Sequence, residues 1–339
     1  MQRHRYRARD DEFQRTGISR ASLMAIDFRN LSIRQLRAEL RREGAAAAPT
    51  LRALRRDRRQ GVRTLVVQWE RRAAAERRER LRIRRMLRGE RALWRAGVRY
   101  VAGVDEVGVG PLAGPVVAAA VIFDAGAYLA GVDDSKRLDP ETRTKLAAAI
   151  RDRAVGVGVG TASVDEIDRL NIYHAGVLAM RRAIEALPVM PEHVLVDART
   201  VPNLPARQRA IIRGDETCFS IAAASIVAKV YRDRLMADLD PRYPQYGFCR
   251  HKGYATAEHQ AAIRRHGPCE LHRQSYAFLR ELRGQYSPQF YELRERLFGK
   301  PAAAALRAVA RELRGNSAGL SEPERKKLRI LIARREALL

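Results

Sequence analysis

An α/β domain with helical arms at both ends is predicted for this chain, on three observations. Between residues 98 and 283, apolar runs of strand length alternate with runs of helical period, the pattern of a sheet covered by helices. One of these runs, Tyr100 to Val104, leads into adjacent carboxylates, Asp105 and Glu106, then a turn with glycines at 108, 110 and 114, then a second apolar run, Val116 to Phe123. Outside this region the chain turns helix-periodic and rich in arginine: residues 1–100 hold 29 Arg, no Lys and 11 acids.

Residues 1–30 mix Arg, Asp and polar side chains without periodicity and are predicted to be disordered. Residues 31–97 form a basic helical extension. Ser32 is its first N-cap, with Ile33, Leu36 and Leu40 on one face. Gly44 to Pro49 breaks that helix and a second starts near Thr50. A longer one runs from Val62 to about Trp94, carrying Leu65, Val66 and Trp69 and then dense Arg and Glu. Two readings of this segment stay open: a surface laid along phosphates, or a solvated face laced with Glu–Arg pairs.

Within the domain, Asp139-Pro140-Glu141 is a helix start, with Asp as N-cap and Pro at the first helical position. Residues 154–162 make a strand with small side chains on one face, and Ser163 to Glu166 is a capping box opening a helix. The glycines of that strand are not a dinucleotide fingerprint, because no helix opens on them. A further helix passes through Ala175, Leu178, Ala179 and Met180 to about Leu187. His193 to Asp197 is a short strand, Ile211-Ile212 a shorter one, and Ser220 to Asp238 an alanine-rich helix. Residues 241–283 are rich in loops, with one helix near 256–266. The basic tail, 284–339, holds helices at about 302–314 and 322–338, the second opened by Ser321 to Glu324.

At 339 residues the chain is long enough for one large core with additions, or for two domains. Its net charge of +26 lies in the arms and leaves the middle near neutral, which suggests a polyanionic partner such as nucleic acid. High arginine and alanine also follow from genome composition alone. Cys218, Cys249 and Cys269 form no even, closely spaced framework, so a reducing compartment is expected. No stretch approaches the roughly 18–20 apolar residues of a membrane span, and no apolar core follows the charged N-terminus. A soluble, cytoplasmic protein is the expectation.

Four carboxylates carry the chemistry. Asp105 and Glu106 end the first strand, Asp197 ends Val-Leu-Val-Asp, and Asp233 sits in the alanine-rich helix one turn after Lys229. Singly, each has a bland reading: a solvated acidic pair in a hairpin, a loop cap, an intrahelical pair with Lys229. Brought together from two strands and a helix, they would repel and raise one another's pKa unless cations occupied the cluster. Two divalent ions about 3.5–4 Å apart would resolve the repulsion and make a phosphoryl-transfer site.

The order Gly-Val-Asp105-Glu106-Val-Gly with Leu-Ala-Gly-Pro-Val-Val, then Asp134-Ser-Lys136, Val-Leu-Val-Asp197, the run Ser220 to Asp233, His251-Lys-Gly-Tyr254 and His272-Arg273 resembles ribonuclease HII over about residues 98–282. Two runs of the arm, Asp57 to Val62 and Leu65 to Trp69, resemble more weakly the N-terminal extension that some bacterial members carry. The resemblance implies a ribonuclease-H-like fold, a mixed five-stranded sheet with helices on both sides. It also implies a monomer that uses two divalent cations, Mg²⁺ or Mn²⁺, to hydrolyse the RNA strand of RNA–DNA hybrids. Such an enzyme cuts 5′ of ribonucleotides embedded in DNA and leaves 3′-hydroxyl and 5′-phosphate ends.

By the same resemblance, Asp105, Glu106, Asp197 and Asp233 are the catalytic, metal-binding acids. Gly108, Val109 and Gly110 form the turn that reads the 2′-hydroxyl through its backbone, and Tyr254 stacks on the sugar of the next, deoxy, nucleotide. Lys136 and Lys229 are placed to neutralise phosphate, or alternatively to serve as surface and intrahelical pair partners.

Val109 departs from the family, whose turn is usually Gly-Arg-Gly; valine cannot supply a bidentate phosphate contact. Weaker preference for single embedded ribonucleotides is therefore expected, with activity on longer hybrids better kept, unless Arg137 supplies the charge. The ribonuclease HIII family also lacks that arginine, but its N-terminal platform is rich in β-structure. Cys249, His251, Cys269 and His272 can be written as a zinc set, although both histidines fall within the family motifs. Cys218 is expected to be a small buried residue. An alternative from another class is a non-catalytic nucleic-acid-binding protein with a silent nuclease core. Retention of all four acids argues against it. The protein partner of the basic arms, if any, is not specified by these residues.

Overall fold

A computed structural model of the protein describes residues 31–43, 48–284, 286–298, 303–315 and 319–336. The predicted disorder of residues 1–30 and most of the break at 44–49 lie outside the described residues. The chain forms two compact units, one up to Arg82 and one from Ile83 onward.

In the first unit, α1 (Ile33–Glu43), α2 (Ala48–Leu54) and the start of α3 (Gln60–Met86) share a small core of Leu36, Leu40, Leu51, Leu54, Val62, Leu65 and Val66. Leu36 and Leu40 are one turn apart and meet the partners at 62, 65 and 66, as the apolar stripe predicts. Ser32 meets its expectation as a cap: its hydroxyl accepts from the Gln35 N–H, and the Gln35 side chain accepts from the Ser32 N–H. The expected single helix from Val62 to Trp94 is corrected: α3 ends at Met86 and α4 spans Arg88–Arg95. The interruption at Leu87 (φ −75°, ψ 8°) opens the turn just ahead of the buried Glu90.

The second unit is built on β1 (Val101–Val107), β2 (Val116–Phe123), β3 (Gly156–Ala162), β4 (His193–Asp197) and β5 (Arg207–Ile211), in the sheet order β3-β2-β1-β4-β5. β1 and β3 pair antiparallel with β2, whereas β4 is parallel to β1 and to β5. β2 is buried along its whole length, and its alternate residues serve two cores. Val117, Ala119 and Val121 pack with α5 (Pro140–Arg153) and α9 (Phe219–Leu239). Ala118, Ala120 and Ile122 pack with α7 (Ile172–Glu185), which follows the short α6 (Val164–Leu170). This is the mixed five-stranded sheet with helices on both faces.

Small residues set how closely the helices approach. A Cβ on Gly103 would lie 2.2 Å from the Ser220 carbonyl carbon and 2.4 Å from the Ile221 nitrogen, so only glycine lets α9 start against β1. On β3, a Cβ at Gly160 would meet the Ala179 carbonyl of α7 at 2.2 Å. The predicted caps form: the Asp139 carboxylate accepts from the Thr142 N–H, and Ser163 and Glu166 make a reciprocal capping box.

After α8 (Gly214–Thr217) and α9, the loop region carries α10 (Phe248–His251), α11 (Ala257–His266) and α12 (Ala277–Leu282). Only α11 was expected there; the other two span four and six residues, too few to show a periodic stripe. In the tail, α13 (Pro288–Phe298) is an addition to the two expected helices, α14 (Ala303–Arg314) and α15 (Glu322–Glu336). Ser287 caps it by accepting from the Phe290 N–H, and Pro288 sits at its first position, a signal that was present in the sequence. The three helices share a core that includes Phe290, Leu293, Leu306, Val309 and Leu328. Among the described residues no helix is long and apolar enough to cross a membrane.

Candidate active site

Successive residues of a strand face opposite sides of its sheet. At the end of β1 this sends Asp105 toward α9, where the Ser225 hydroxyl bonds it, and Glu106 toward α7, where Arg199 pairs with it at 2.6 Å. β4 runs parallel beside β1 with Val104 opposite Val196, so Asp197 ends level with Asp105. Asp197 accepts a hydrogen bond from the Gly214 N–H at 2.7 Å. Both strands therefore deliver their acids to one edge of the sheet.

The electrostatics show a surplus of negative charge. Burial, then the Glu106 and Asp197 charges, push the Asp105 carboxyl well above the usual carboxylate range, against the bond from Ser225. Burial raises Glu106 as well, with Arg199 opposing and Asp197 adding. Asp197 is raised by burial and by Asp215, against the Gly214 N–H. Lys136 feels both sides: burial lowers its pKa, but Asp134 and Asp215 outweigh that and raise it. Its ammonium lies 3.3 Å from Asp215 and is largely exposed.

Asp233 stands differently. It is paired with Lys229 at 2.7 Å and with Arg143 at 3.4 Å, so the intrahelical pair that the spacing allowed is formed. Ser225, Lys229 and Asp233 follow one another at four-residue steps along α9, a stripe that begins at Asp105 and ends at Asp233. Arg143 ties the stripe to the Asp134–Lys136 turn by donating to the Ser135 carbonyl at 2.9 Å, and the Ser135 and Ser225 hydroxyls lie 3.0 Å apart. Asp105, Glu106 and Asp197 thus share one field, whereas the charge of Asp233 is balanced by two cations.

Among the described residues no three His, Cys, Asp or Glu side chains converge closely enough to hold a metal ion as they stand. The donor chemistry nevertheless fits a hard divalent cation: three mutually repelling carboxylates, and a Glu106 Oε2 that is buried with no hydrogen-bond partner.

The glycine turn is held from behind. Gly108 has φ +89°, and a Cβ there would lie 2.3 Å from Arg232 Nε. The buried Arg273 donates to the carbonyls of Gly108 (2.6 Å), Val109 (3.0 Å) and Gly114 (2.9 Å). Arg232 donates to those of Ala113, Pro115 and Lys252, each at 3.0 Å. Burial and the Arg273 charge pull Arg232 down to about 10. Above the turn the space is open, with no protein atom within 4 Å of where a Gly110 Cβ would sit. Val109 is half-buried. Arg137 is engaged elsewhere, by Glu216 at 3.0 Å and Asp133 at 3.7 Å.

Tyr254 is 41% exposed, and the Lys229 ammonium lies 5.7 Å from its ring centroid. Its loop rests on three histidines. His259 Nδ1 meets the Tyr254 carbonyl at 2.8 Å, His251 stacks on His259 at 4.3 Å, and His259 and His272 share an Nε2–Nε2 contact of 3.1 Å. His251 uses its other contacts on the Tyr246 carbonyl and the Gly253 N–H, and His272 Nδ1 on the Cys269 N–H. Cys249 is exposed, and Cys218 is buried as expected. Arg199, Asp215 and Arg143 lie outside the motifs of the sequence, although Arg199 and Asp215 carry a signal in lying beside Asp197 and Gly214; Ser225, Arg232 and Arg273 lie inside those motifs, which say nothing of their contacts.

Comparison with known proteins gives the family. The family model for ribonuclease HII matches residues 102–279, and that for the ribonuclease HII N-terminal domain matches residues 32–94. Ribonuclease HII of Geobacillus thermodenitrificans is 50% identical over 256 residues, 76% of this chain and 98% of that protein. The Myxococcus xanthus protein of the same name is 52% identical over 243 residues, 71% and 83% of the two chains. A crystal structure of ribonuclease H2 from Pyrococcus horikoshii aligns over 55% of this chain and 98% of its own, at 26% identity and a TM-score of 0.46. The second unit is a hydrolase of the ribonuclease H class by family. The chain belongs to the ribonuclease HII family of endoribonucleases.

Proposed function

We propose that the protein hydrolyses the RNA strand of RNA–DNA hybrids and cuts 5′ of ribonucleotides embedded in DNA, leaving 3′-hydroxyl and 5′-phosphate ends. The observation that carries this reading is the coupled group Asp105–Glu106–Asp197 at the sheet edge, with its surplus negative charge and the unpartnered Oε2 of Glu106. Asp105, Glu106 and Asp197, with Asp233 at the far end of the α9 stripe, would hold divalent cations, Mg²⁺ or Mn²⁺. Bound there, such ions supply an activated water and stabilise the charge on the departing 3′-oxygen.

The remaining steps belong to side chains of this chain. Arg199 holds Glu106 in place and favours its ionised form. Lys136, largely exposed beside Asp215, reaches toward a phosphate of the scissile strand. The backbone of Gly108, Val109 and Gly110, fixed from behind by Arg273, donates to the 2′-hydroxyl that distinguishes RNA from DNA. Tyr254 offers an exposed ring to the adjacent sugar, with Lys229 beside it for a phosphate. Asp233 would hold a cation in place of part of its pairing with Lys229 and Arg143.

The test is cleavage of two labelled duplexes, one with a single ribonucleotide in DNA and one with a continuous RNA strand on DNA, in Mg²⁺ and separately in Mn²⁺. Cutting 5′ of the single ribonucleotide supports the full reading. Cutting of the hybrid alone confines activity to hybrids and makes the altered turn a specificity switch. Tight binding to both with no cutting overturns it in favour of a silent-core binder.

A further inference from the structure

Dense arginine in the N-terminal unit left two readings open, and its side chains now divide between them. Arg55 pairs with Glu70 at 2.7 Å and Arg72 with Glu76 at 3.1 Å, as a solvated, laced face requires. Arg37 and Arg41 of α1, and Arg77 and Arg80 of α3, have no carboxylate partner among the described residues.

These four cations are not scattered. They line a groove of about 890 Å³ between α1 and α3. On α3 its wall is made by Trp69, Arg72, Ala73, Glu76, Arg77 and Arg80, steps of three and four residues that fall on one helical face. On α1 it is made by Arg37 and Arg41, one turn apart around Leu40. Trp69 packs against the small core of the unit, is half-buried, and lines the groove with its remaining surface.

An aromatic side chain that shares a groove with four unpaired guanidinium groups suits a particular chemistry: a π-face to stack and a series of anions to neutralise. We propose that this groove binds a single strand of nucleic acid, with a base on Trp69 and phosphates along Arg37, Arg41, Arg77 and Arg80. A duplex satisfies only the charges, because its bases are stacked on one another. This site shares no residue with the carboxylate group and does not depend on the reaction proposed for it.

The test uses the full chain and a fluorescein-labelled dT oligonucleotide, which holds no ribonucleotide. The expected results are quenching of indole fluorescence by the unlabelled oligonucleotide, and loss of that quenching in Trp69→Ala with affinity lower on the order of tenfold. Arg77→Ala/Arg80→Ala should flatten the slope of log affinity against log salt by about 1.4, the contribution of two phosphates on a single strand. That double variant changes only unpaired, exposed side chains and carries the test alone if Trp69→Ala does not fold. Unchanged affinity and salt slope in the folded variants overturns the proposal. So does competition by poly-glutamate or by a DNA duplex, phosphate for phosphate, as effective as by the single strand.

Discussion

Arg199 holds Glu106 at 2.6 Å, yet Oε2 of the same carboxylate is buried with no partner. One oxygen is neutralised from the protein side and the other is left for a ligand. The pair is largely buried, so removing the cation alone leaves an uncompensated charge. Arg199→Met should destabilise the fold by roughly 3 kcal/mol, and Arg199→Lys by less, because a lysine keeps the charge without the planar fork. Urea unfolding reads this; equal midpoints for wild type and Arg199→Met would show that the pair contributes nothing.

Asp105→Asn separates catalysis from folding. Burial already disfavours the Asp105 anion, so the amide should melt at the same temperature as the wild type or higher. Cleavage of a hybrid should fall by more than about 100-fold, beyond the effect of losing a group that merely supports a metal ligand. Residual activity near wild type would remove Asp105 from the site.

Val109→Arg restores the residue usual in the turn. The Val109 carbonyl is fixed by Arg273 at 3.0 Å and by the Tyr276 hydroxyl, so a longer side chain leaves the backbone in place. The ratio of cutting at a single ribonucleotide to cutting of a continuous hybrid should rise by about tenfold, the effect of one charge-assisted phosphate contact of roughly 1.4 kcal/mol. An unchanged ratio would show that Val109 does not set specificity.

Glu90 caps the helix that carries Ser225, Lys229 and Asp233. Its carboxylate accepts from the Ser220 N–H at 2.9 Å, the Ser220 hydroxyl at 2.8 Å and the Cys218 thiol at 3.2 Å, while Cys218 itself provides no side-chain cap. Glu90→Ala leaves these donors unpaired in the interior and should cost about 2 kcal/mol. Glu90→Gln keeps a carbonyl acceptor and should cost less. Urea midpoints in the reverse order would reject the capping role.

The buried histidines under Tyr254 should make stability depend on pH. Burial lowers His259 and His272 to about 4, from an ordinary value near 6.5. Between those values the unfolded chain binds protons that the folded one does not. Their contribution is therefore complete above about pH 6.5 and is lost toward pH 4, at roughly 1.4 kcal/mol per pH unit for each titrating ring. The site carboxylates, raised in the fold, act with the opposite sign over part of this window. The informative quantity is thus the difference in slope between wild type and His272→Asn; identical slopes would show that the pair does not titrate this way.

Sequence alone determined four of the five strands, most helices and the family, because these depend on local pattern; β5 instead runs Arg207–Ile211, largely polar and exposed, where an apolar strand was expected at Ile211-Ile212. Val116–Phe123 and His193–Asp197 form where their apolar runs predicted, and Asp139 and Ser163 cap the helices they were read to cap. The placement of the strand acids was legible too, because Asp105, Glu106 and Asp197 follow directly from the apolar runs that lead into them. Tertiary structure decided what those acids face. Arg199, Asp215 and Ser225 meet the site through the parallel register of β4 on β1 and the close approach of α9 over Gly103, relations between residues far apart in the chain. It also decided that Asp233 is tied to Arg143, 90 positions away, and that arginines evenly spread along α1 and α3 divide into paired and unpaired sets. Spacing along one helix fixes which side chains share a face; only the packing of a second helix decides whether a carboxylate, solvent or a groove lies opposite them.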